Sequence, residues 1–578
     1  MKKLFQDVGT GETIITDVPK PQCKKGHLLI KSSVSLISAG TERMLVDFGK
    51  SNYLDKAKKQ PEKVKMVLDK VKTDGLLTTY DAVKSKLDQP LPMGYSNVGT
   101  VIEVGHGVTG FKIGDRVVSN GSHSEIVCIP ENLVVKIPDN LSDEDASFTV
   151  LGAIALQGIR LAQPTLGEFF VVMGLGLIGL LTVQILRANG CKVLGLDFDP
   201  EKLKLAESYG AETLLLGVEG SDPILSADVF SSGRGIDGVI ITASTESNQP
   251  IHDAATMCRK NGRIILVGIV GLNIQRSDFY EKEITFRVSC SYGPGRYDPF
   301  YEEDGNDYPI GYVRWTEKRN FEAVLDLLAS KSVKVDQLKT CEYLFSEAGL
   351  AYNKLLKDKS VLGITLQYEG KVDDSDLISL THLSNSNDPI YNPKSPIVGF
   401  IGAGNHAGRA LIPGFSKTDA RLKLISSSQG VSGKHYGKKF GFESTTTDTQ
   451  KIFGDDEINT VVIATQHDSH SSFVLSALKN NQNVFVEKPL TIKSNEIDKI
   501  EEEYKKASQR GENLKLMVGF NRRFSPLVKS LKSSINTYEP ISMIYTCNAG
   551  QIPAESWVQN MAKGGGRIIG EACHFIDL

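Results

Sequence analysis

Two segments of this chain run from an apolar strand through a glycine turn straight into a helix, and they fix what it folds into. FFVVMGLGLIGLLTVQILRA starts at Phe169 and carries Gly174, Gly176 and Gly179; IVGFIGAGNHAG starts at Ile397 and carries Gly402 and Gly404. After the first come the strand patterns KVLGLD, GVIITAS and GRIILVGIV. After the second come LKLISSS, NTVVIATQ and NVFVEKP. Uninterrupted apolar strands alternating with helices describe a parallel sheet covered on both faces, a doubly wound α/β fold. The same architecture is therefore expected twice. In such a turn the first glycine takes a conformation closed to other residues, the second lets backbone approach a pyrophosphate, and the third lets helix meet strand.

The remaining chain divides around these sheets. Residues 1–150 show short β-branched runs and glycine turns, the signature of a small barrel. They are interrupted at 46–90, where Val64, Val67, Leu68 and Val71 repeat at helical spacing and predict a helical insertion. The barrel pattern returns at 330–368, and 151–330 holds the first sheet. Polar residues at 369–395 read as a linker, 396–520 as the second sheet, and 521–578 as the start of a further domain.

Composition excludes several functions. Lys and Arg number 66 against 69 Asp and Glu, a net charge of -3, too even for a dedicated nucleic-acid or anionic-membrane binder. No run reaches the ~18 apolar residues of a membrane span, and the opening MKKLFQDVGTGETIITDVP has two lysines but no apolar h-region or cleavage site after them. The eight cysteines never take C-x-x-C spacing. A zinc clip or dithiol motif is thus not readable, and a reducing cytoplasm is the expected setting.

Candidate site residues follow from the strand ends. Asp197 ends the strand after the first turn, where a carboxylate accepts from ribose hydroxyls and repels a 2′-phosphate; NAD is expected there. After the second turn no acid ends the strand, only Ser426, Ser427 and Ser428, so NAD and NADP both stay open. Further candidates are Thr465, Glu487, Lys488, Glu571, His574 and Asp577. The last three follow at i, i+3 and i+6, a spacing that can line one helix face.

Residues 1–368 resemble the medium-chain dehydrogenase/reductase superfamily, through GTVIEVGHGVTGFKIGDRV, VVMGLGLIGLL and LFSEAGLAYNKLLKDKSVLGITL. The resemblance implies a GroES-like barrel, a nucleotide-binding Rossmann sheet and often a dimer. The chain departs from the zinc-dependent branch. Ala39-Gly40-Thr41-Glu42 stands where the first cysteine motif is expected, Gly94-Tyr95-Ser96 where Gly-His-Glu is, and 146–160 contains no Cys, His, Asp or Glu for a third ligand. No zinc is therefore expected; Glu42, Tyr95 and His123 remain as residues for the cleft. The stretch 291–320, with Arg296, Tyr297, Tyr301, Tyr308, Arg314 and Trp315, is open between sugar contact, subunit contact and solvated loop.

Residues from 396 onward resemble the Gfo/Idh/MocA family of sugar and cyclitol oxidoreductases, through VFVEKPL, VGFNRRF and GGGRIIGEACHFID. The resemblance assigns Lys488 to the reacting hydroxyl or carbonyl and His574 to acid–base work. A lysine there faces the positive nicotinamide ring, and a histidine titrates near neutrality. Many members carry an Asp four residues before this histidine. Here that position is Gly570, and Glu571 either replaces the acid or orients His574. Family members continue into a largely antiparallel sheet, so a chain stopping at Leu578 is expected to be truncated.

The combined expectation is a fold of a GroES-like β-barrel plus two doubly wound Rossmann domains. Its function is expected to be that of a cytoplasmic NAD(P)-dependent oxidoreductase of sugars, sugar nucleotides or cyclitols, in polysaccharide biosynthesis. The alternatives are one active module, or a nucleotide-binding regulatory or scaffold protein. A small-molecule substrate and a homodimer are expected, without nucleic acid or membrane insertion.

Overall fold

A computed structural model describes residues 1–7, 10–50, 89–370, 372–380, 395–510, 513–535, 540, 542–548, 552 and 556–578. The expected helical insertion and linker fall mostly outside these residues. Where the insertion begins, a helix already spans Ala39–Lys50, ahead of position 46. The described chain forms two compact units. One holds Met1–Asp17 and Cys23–Asp373; the other holds Val18–Gln22 and Asp374–Leu578.

In the first unit the long strand His27–Ser38 organises the barrel. It pairs antiparallel with Asn97–Val104, Ile126–Pro130 and Gly363–Gln367. Leu28, Ile30, Val101, Val117, Val127 and Val134 fill the space beneath it, all buried. Gly363–Gln367 brings the far end of the module back to the barrel, with Gly363 opposite Ser38 and Gln367 opposite Val34.

The first parallel sheet has six strands. Counted in chain order from Phe169–Met173 their spatial order is 3-2-1-4-5-6, the doubly wound dinucleotide order. Alternate residues serve opposite faces, as period-2 geometry requires. Phe170 and Val172 join one buried cluster, while Phe169, Val171 and Met173 join another. Both faces are sealed, which explains the unbroken apolar strands.

The second unit repeats this order. From Ile397–Ile401 its six parallel strands again lie 3-2-1-4-5-6, with Leu377–Ser379 added antiparallel at the edge. Phe400 serves one cluster and Ile401 the other. In both sheets the chain reversal between the first and fourth strands opens a crevice at the strands' carboxyl ends, where ligands of such folds bind. Among the described residues no helix is long and apolar enough to cross a membrane.

Candidate functional site

At the first turn each glycine has its own reason. Gly174 has φ +93°, and a Cβ there would sit 2.8 Å from the backbone of Ala243. At Gly179 a Cβ would lie 2.0 Å from the Gly174 carbonyl oxygen. At Gly176, which caps the helix Leu177–Ala188, a Cβ would meet nothing within 4 Å. So Gly174 and Gly179 are required by the fold itself. Gly176 faces open space, where a phosphate can approach the helix N-terminus. Asp197 stands beside it. One carboxylate oxygen accepts from the Leu175 amide at 2.6 Å and the other from the Asp199 amide at 3.0 Å. The aspartate thus braces the turn and keeps lone pairs for a ribose.

The second turn repeats the pattern. Gly402 has φ +99° and packs against Ala464 and the Thr465 methyl, while Gly404 again meets nothing within 4 Å. The strand pairing corrects one sequence expectation. Met173 pairs with Leu196, and Ile401 pairs with Ser426. The residue equivalent to Asp197 is therefore Ser427, one beyond Ser426. Ser426 is 2% exposed, and its carbonyl accepts from the Gly402 amide at 3.0 Å. Ser427 accepts from the Gly433 amide at 3.0 Å. Ser428 is exposed.

The strand Asn483–Val486 delivers Glu487 and Lys488 to the same crevice. His406, in the glycine turn, places Nε2 3.1 Å from Glu487 Oε1. Burial on its own would raise the Glu487 carboxyl. The His406 hydrogen bond and charge, with the Lys488 amide, instead pull it below the usual carboxylate range. Lys488 Nζ donates to the Gly570 carbonyl at 2.7 Å. Thr465 shares a 2.7 Å hydroxyl contact with Ser469.

His574 is half-buried, and its Nδ1 has no partner among the described residues. Burial lowers its pKa, and the charges of Lys488 and Arg522 lower it further. The neutral imidazole is therefore the resting form at neutral pH. Glu571 and Asp577 are not brought to it. Arg567 holds Glu571 at 2.9 Å, and Arg523 holds Asp577 with Nε at 2.8 Å. The segment is also no single regular helix. Ile568–Ala572 is a wide π turn, followed by one α turn at Cys573–Ile576, which breaks the expected common face.

Comparison with known proteins gives three matches within the chain. Residues 69–139 match the alcohol dehydrogenase GroES-like domain, 178–303 the zinc-binding dehydrogenase family, and 397–518 the Gfo/Idh/MocA oxidoreductase family with its NAD-binding Rossmann fold. The chain joins a medium-chain dehydrogenase module to a Gfo/Idh/MocA module. Among curated relatives, the (R,R)-butanediol dehydrogenase of Bacillus subtilis is 28% identical over 233 residues, 35% of this chain and 66% of that protein. The D-guloside 3-dehydrogenase of Escherichia coli is 28% identical over 256 residues, 43% of this chain and 68% of that one. A probable D-xylulose reductase A of Neosartorya fischeri is 25% identical over 247 residues, 36% and 68%. The matched span is thus just under two-thirds of the butanediol dehydrogenase.

The zinc of the medium-chain family meets an unsuitable donor set in this module. His123 and Glu42 are the nearest to ligands, and both are 0% exposed. His123 Nε2 lies 3.2 Å from Glu42 Oε2, and Nδ1 lies 2.7 Å from the Ser35 hydroxyl. The Tyr352 hydroxyl donates to the same Glu42 oxygen, and the Ser38 amide donates to the other at 2.9 Å. The Tyr95 hydroxyl lies 3.3 Å from the Thr41 hydroxyl and also bonds the Ser38 side chain. Among the described residues no three His, Cys, Asp or Glu side chains gather as a metal site would need. Glu42 and His123 therefore form a sealed polar network inside the barrel and do not line the cleft. Two residues escaped sequence reasoning in the Gfo/Idh/MocA module. His406 shows its role only through contact with Glu487. His467, 6% exposed, binds the Gly564 carbonyl through Nδ1 at 2.8 Å and anchors the GGG segment.

Proposed function

We propose that the fusion is a cytoplasmic NAD(P)-dependent oxidoreductase of hydroxyl and keto groups on sugars, sugar nucleotides or cyclitols, working in polysaccharide biosynthesis. The observation that carries this reading is the convergence of Lys488, His574 and the His406–Glu487 pair beside the open Gly404 turn. Gly174, Gly176, Gly179 and Asp197 would hold NAD in the first module. Gly402, Gly404 and Thr465 would hold NAD or NADP in the second. Bound NAD(P) would supply the redox couple. Lys488 would hold the reacting oxygen through its ammonium, and the neutral His574 would accept or return the hydroxyl proton. The first module would work without zinc, and the protein as a homodimer. The sugar and polyol names of the relatives support the substrate class.

A narrower reading, turnover by the second module alone, is favoured by one observation. The ionisable residues expected near the first cleft, Glu42 and His123, are consumed in the barrel interior. One comparison tests both readings. Asp197→Ala removes the ribose acceptor of the first module, and Lys488→Ala removes the ammonium of the second. Loss of cofactor-absorbance change with a sugar or sugar nucleotide only in Lys488→Ala supports the narrower reading. Loss in each of the two variants supports two working sites. Retained turnover in both overturns the assignment of the residues.

A further inference from the structure

The stretch at 291–320 supplies a feature that the redox chemistry leaves unused. Trp315 carries two arginines on its ring. The Arg160 guanidinium carbon lies 3.3 Å from the ring centre and that of Arg314 3.8 Å. Arg160 stands in the last turn of the helix Thr149–Ala162. Trp315 leads into the helix Glu317–Ala329, whose Asn320 accepts from Arg160 Nε at 2.7 Å. Asn320 is itself pinned by the Tyr292 carbonyl, to which it donates at 2.8 Å. The Arg160 fork is therefore fixed by the packing of one helix end against another, while the exposed Arg314 is held by its stacking on Trp315.

What is missing is a counter-charge. Among the described residues neither Arg160 nor Arg314 stands in an ion pair, although the surrounding arginines do: Arg296 binds Glu302 and Arg319 binds Asp307. Arg160 spends Nε on Asn320 and leaves its terminal nitrogens uncommitted. Burial, and then the nearby charge of Arg314, push its pKa down to about 10. A half-buried cation beside a second cation is costly unless an anion joins them. Stacking on an indole holds a guanidinium flat and leaves its N–H edge free. Two such edges at one ring suit the oxygens of a phosphoryl group, which accept paired N–H bonds.

We propose that Arg160, Arg314 and Trp315 form a phosphoryl-binding clamp in the first module. It rests on the sugar reading for the identity of its ligand, the phosphate of a sugar phosphate or the diphosphate of a sugar nucleotide. Recognition would then come from the phosphate, and the redox site would not need to grip every hydroxyl.

The chain's own chromophores allow a test without turnover. It has two tryptophans, and Trp557→Phe leaves Trp315 as the sole reporter. Glucose 1-phosphate and inorganic phosphate should each change its emission saturably, whereas glucose should not. Phosphate alone separates the clamp from the sugar reading: a response to phosphate without one to glucose 1-phosphate keeps the clamp and removes its assigned ligand. Arg160→Gln or Arg314→Gln in the same background should weaken the response by about tenfold or more. Arg160→Lys and Arg314→Lys, which keep the charge, should recover part of it. No response to either phosphate, or an undiminished response in both Gln variants, overturns the clamp. So does a reporter that responds only to protein concentration, which would place the pair against a second copy of the chain.

Discussion

His406 and Glu487 close a bridge between the glycine turn and the Glu-Lys-Pro strand end of the second module, with Nε2 and Oε1 3.1 Å apart. The bridge fixes the direction of a pH effect. Glu487 has a depressed carboxyl pKa, so it favours the folded state above the ordinary glutamate value of 4.5, and this contribution is lost as pH falls. His467, His470 and His574 are all lowered below 6.5 by burial, so each resists the proton that the unfolded chain takes up. Both effects have the same sign. The urea midpoint of the second unit, which holds all four groups, should fall steadily from pH 7 to pH 4. Glu487→Gln should flatten the lower part of that curve. A variant curve parallel to wild type across the whole range counts against the bridge.

Lys488 Nζ donates to the Gly570 carbonyl. Its ammonium is thus held by backbone and remains the principal charge acting on His574 after burial. Lys488→Met keeps length and removes charge. Single-turnover rates with a sugar substrate should drop about 10²- to 10⁴-fold, while NAD(P) binding measured by fluorescence transfer changes little. A drop in cofactor affinity with the rate unchanged would make Lys488 a binding residue only.

The glycines of the first turn separate folding from binding. Gly179→Ala places a methyl 2.0 Å from the Gly174 carbonyl oxygen and should cost about 1–3 kcal/mol or more. Gly176→Ala meets no atom within 4 Å. Its thermal midpoint should stay close to wild type, since alanine replaces glycine at an N-cap for about 1 kcal/mol or less. NAD affinity at the first module should nonetheless fall about tenfold, because the methyl occupies the phosphate approach. Equal melting losses in the two variants would remove the distinction.

Much of this architecture was legible in the sequence. Period and glycine placement are local properties, and they announce both parallel sheets and both phosphate turns. Asp197 was legible for the same reason, since it ends the strand that pairs with the turn. Ser426 was one residue short. Which serine matches Asp197 depends on the Ile401–Ser426 register, and pairing is set between strands. Glu571 and Asp577 shared a spacing with His574, yet Arg567 and Arg523 took their charges and a π turn broke the face. The Glu42–His123–Tyr352 network joins three distant parts of the chain and leaves no trace in spacing.

That network defines a stability prediction. Glu42 accepts from Ser38 and Tyr352 and faces His123, all without solvent. Glu42→Ala leaves these donors unpaired and should cost about 3–5 kcal/mol. The measurement is the urea midpoint of the first unit, followed by circular dichroism. A loss below about 1 kcal/mol, the range of an exposed pair, would mean that water enters the site.

Glu317 makes the opposite case, because it is buried without partners. It is 0% exposed, and neither carboxyl oxygen has a hydrogen-bond partner among the described residues. Burial, and then the negative charge of Glu302, raise its pKa from 4.5 to about 9, against the pull of Arg296. The folded chain therefore holds a proton there that the unfolded chain releases. Its stabilising contribution is complete below pH 4.5 and is lost as pH rises toward 9, at up to about 1.4 kcal/mol per pH unit. This slope opposes that of the second unit, so the chain should be most stable between the two. Glu317→Gln keeps the shape of the protonated acid and cannot ionise. Its urea midpoint should match wild type near pH 5 and exceed it progressively toward pH 9. If the two curves coincide from pH 5 to 9, the carboxyl is ionised in place and some donor reaches it.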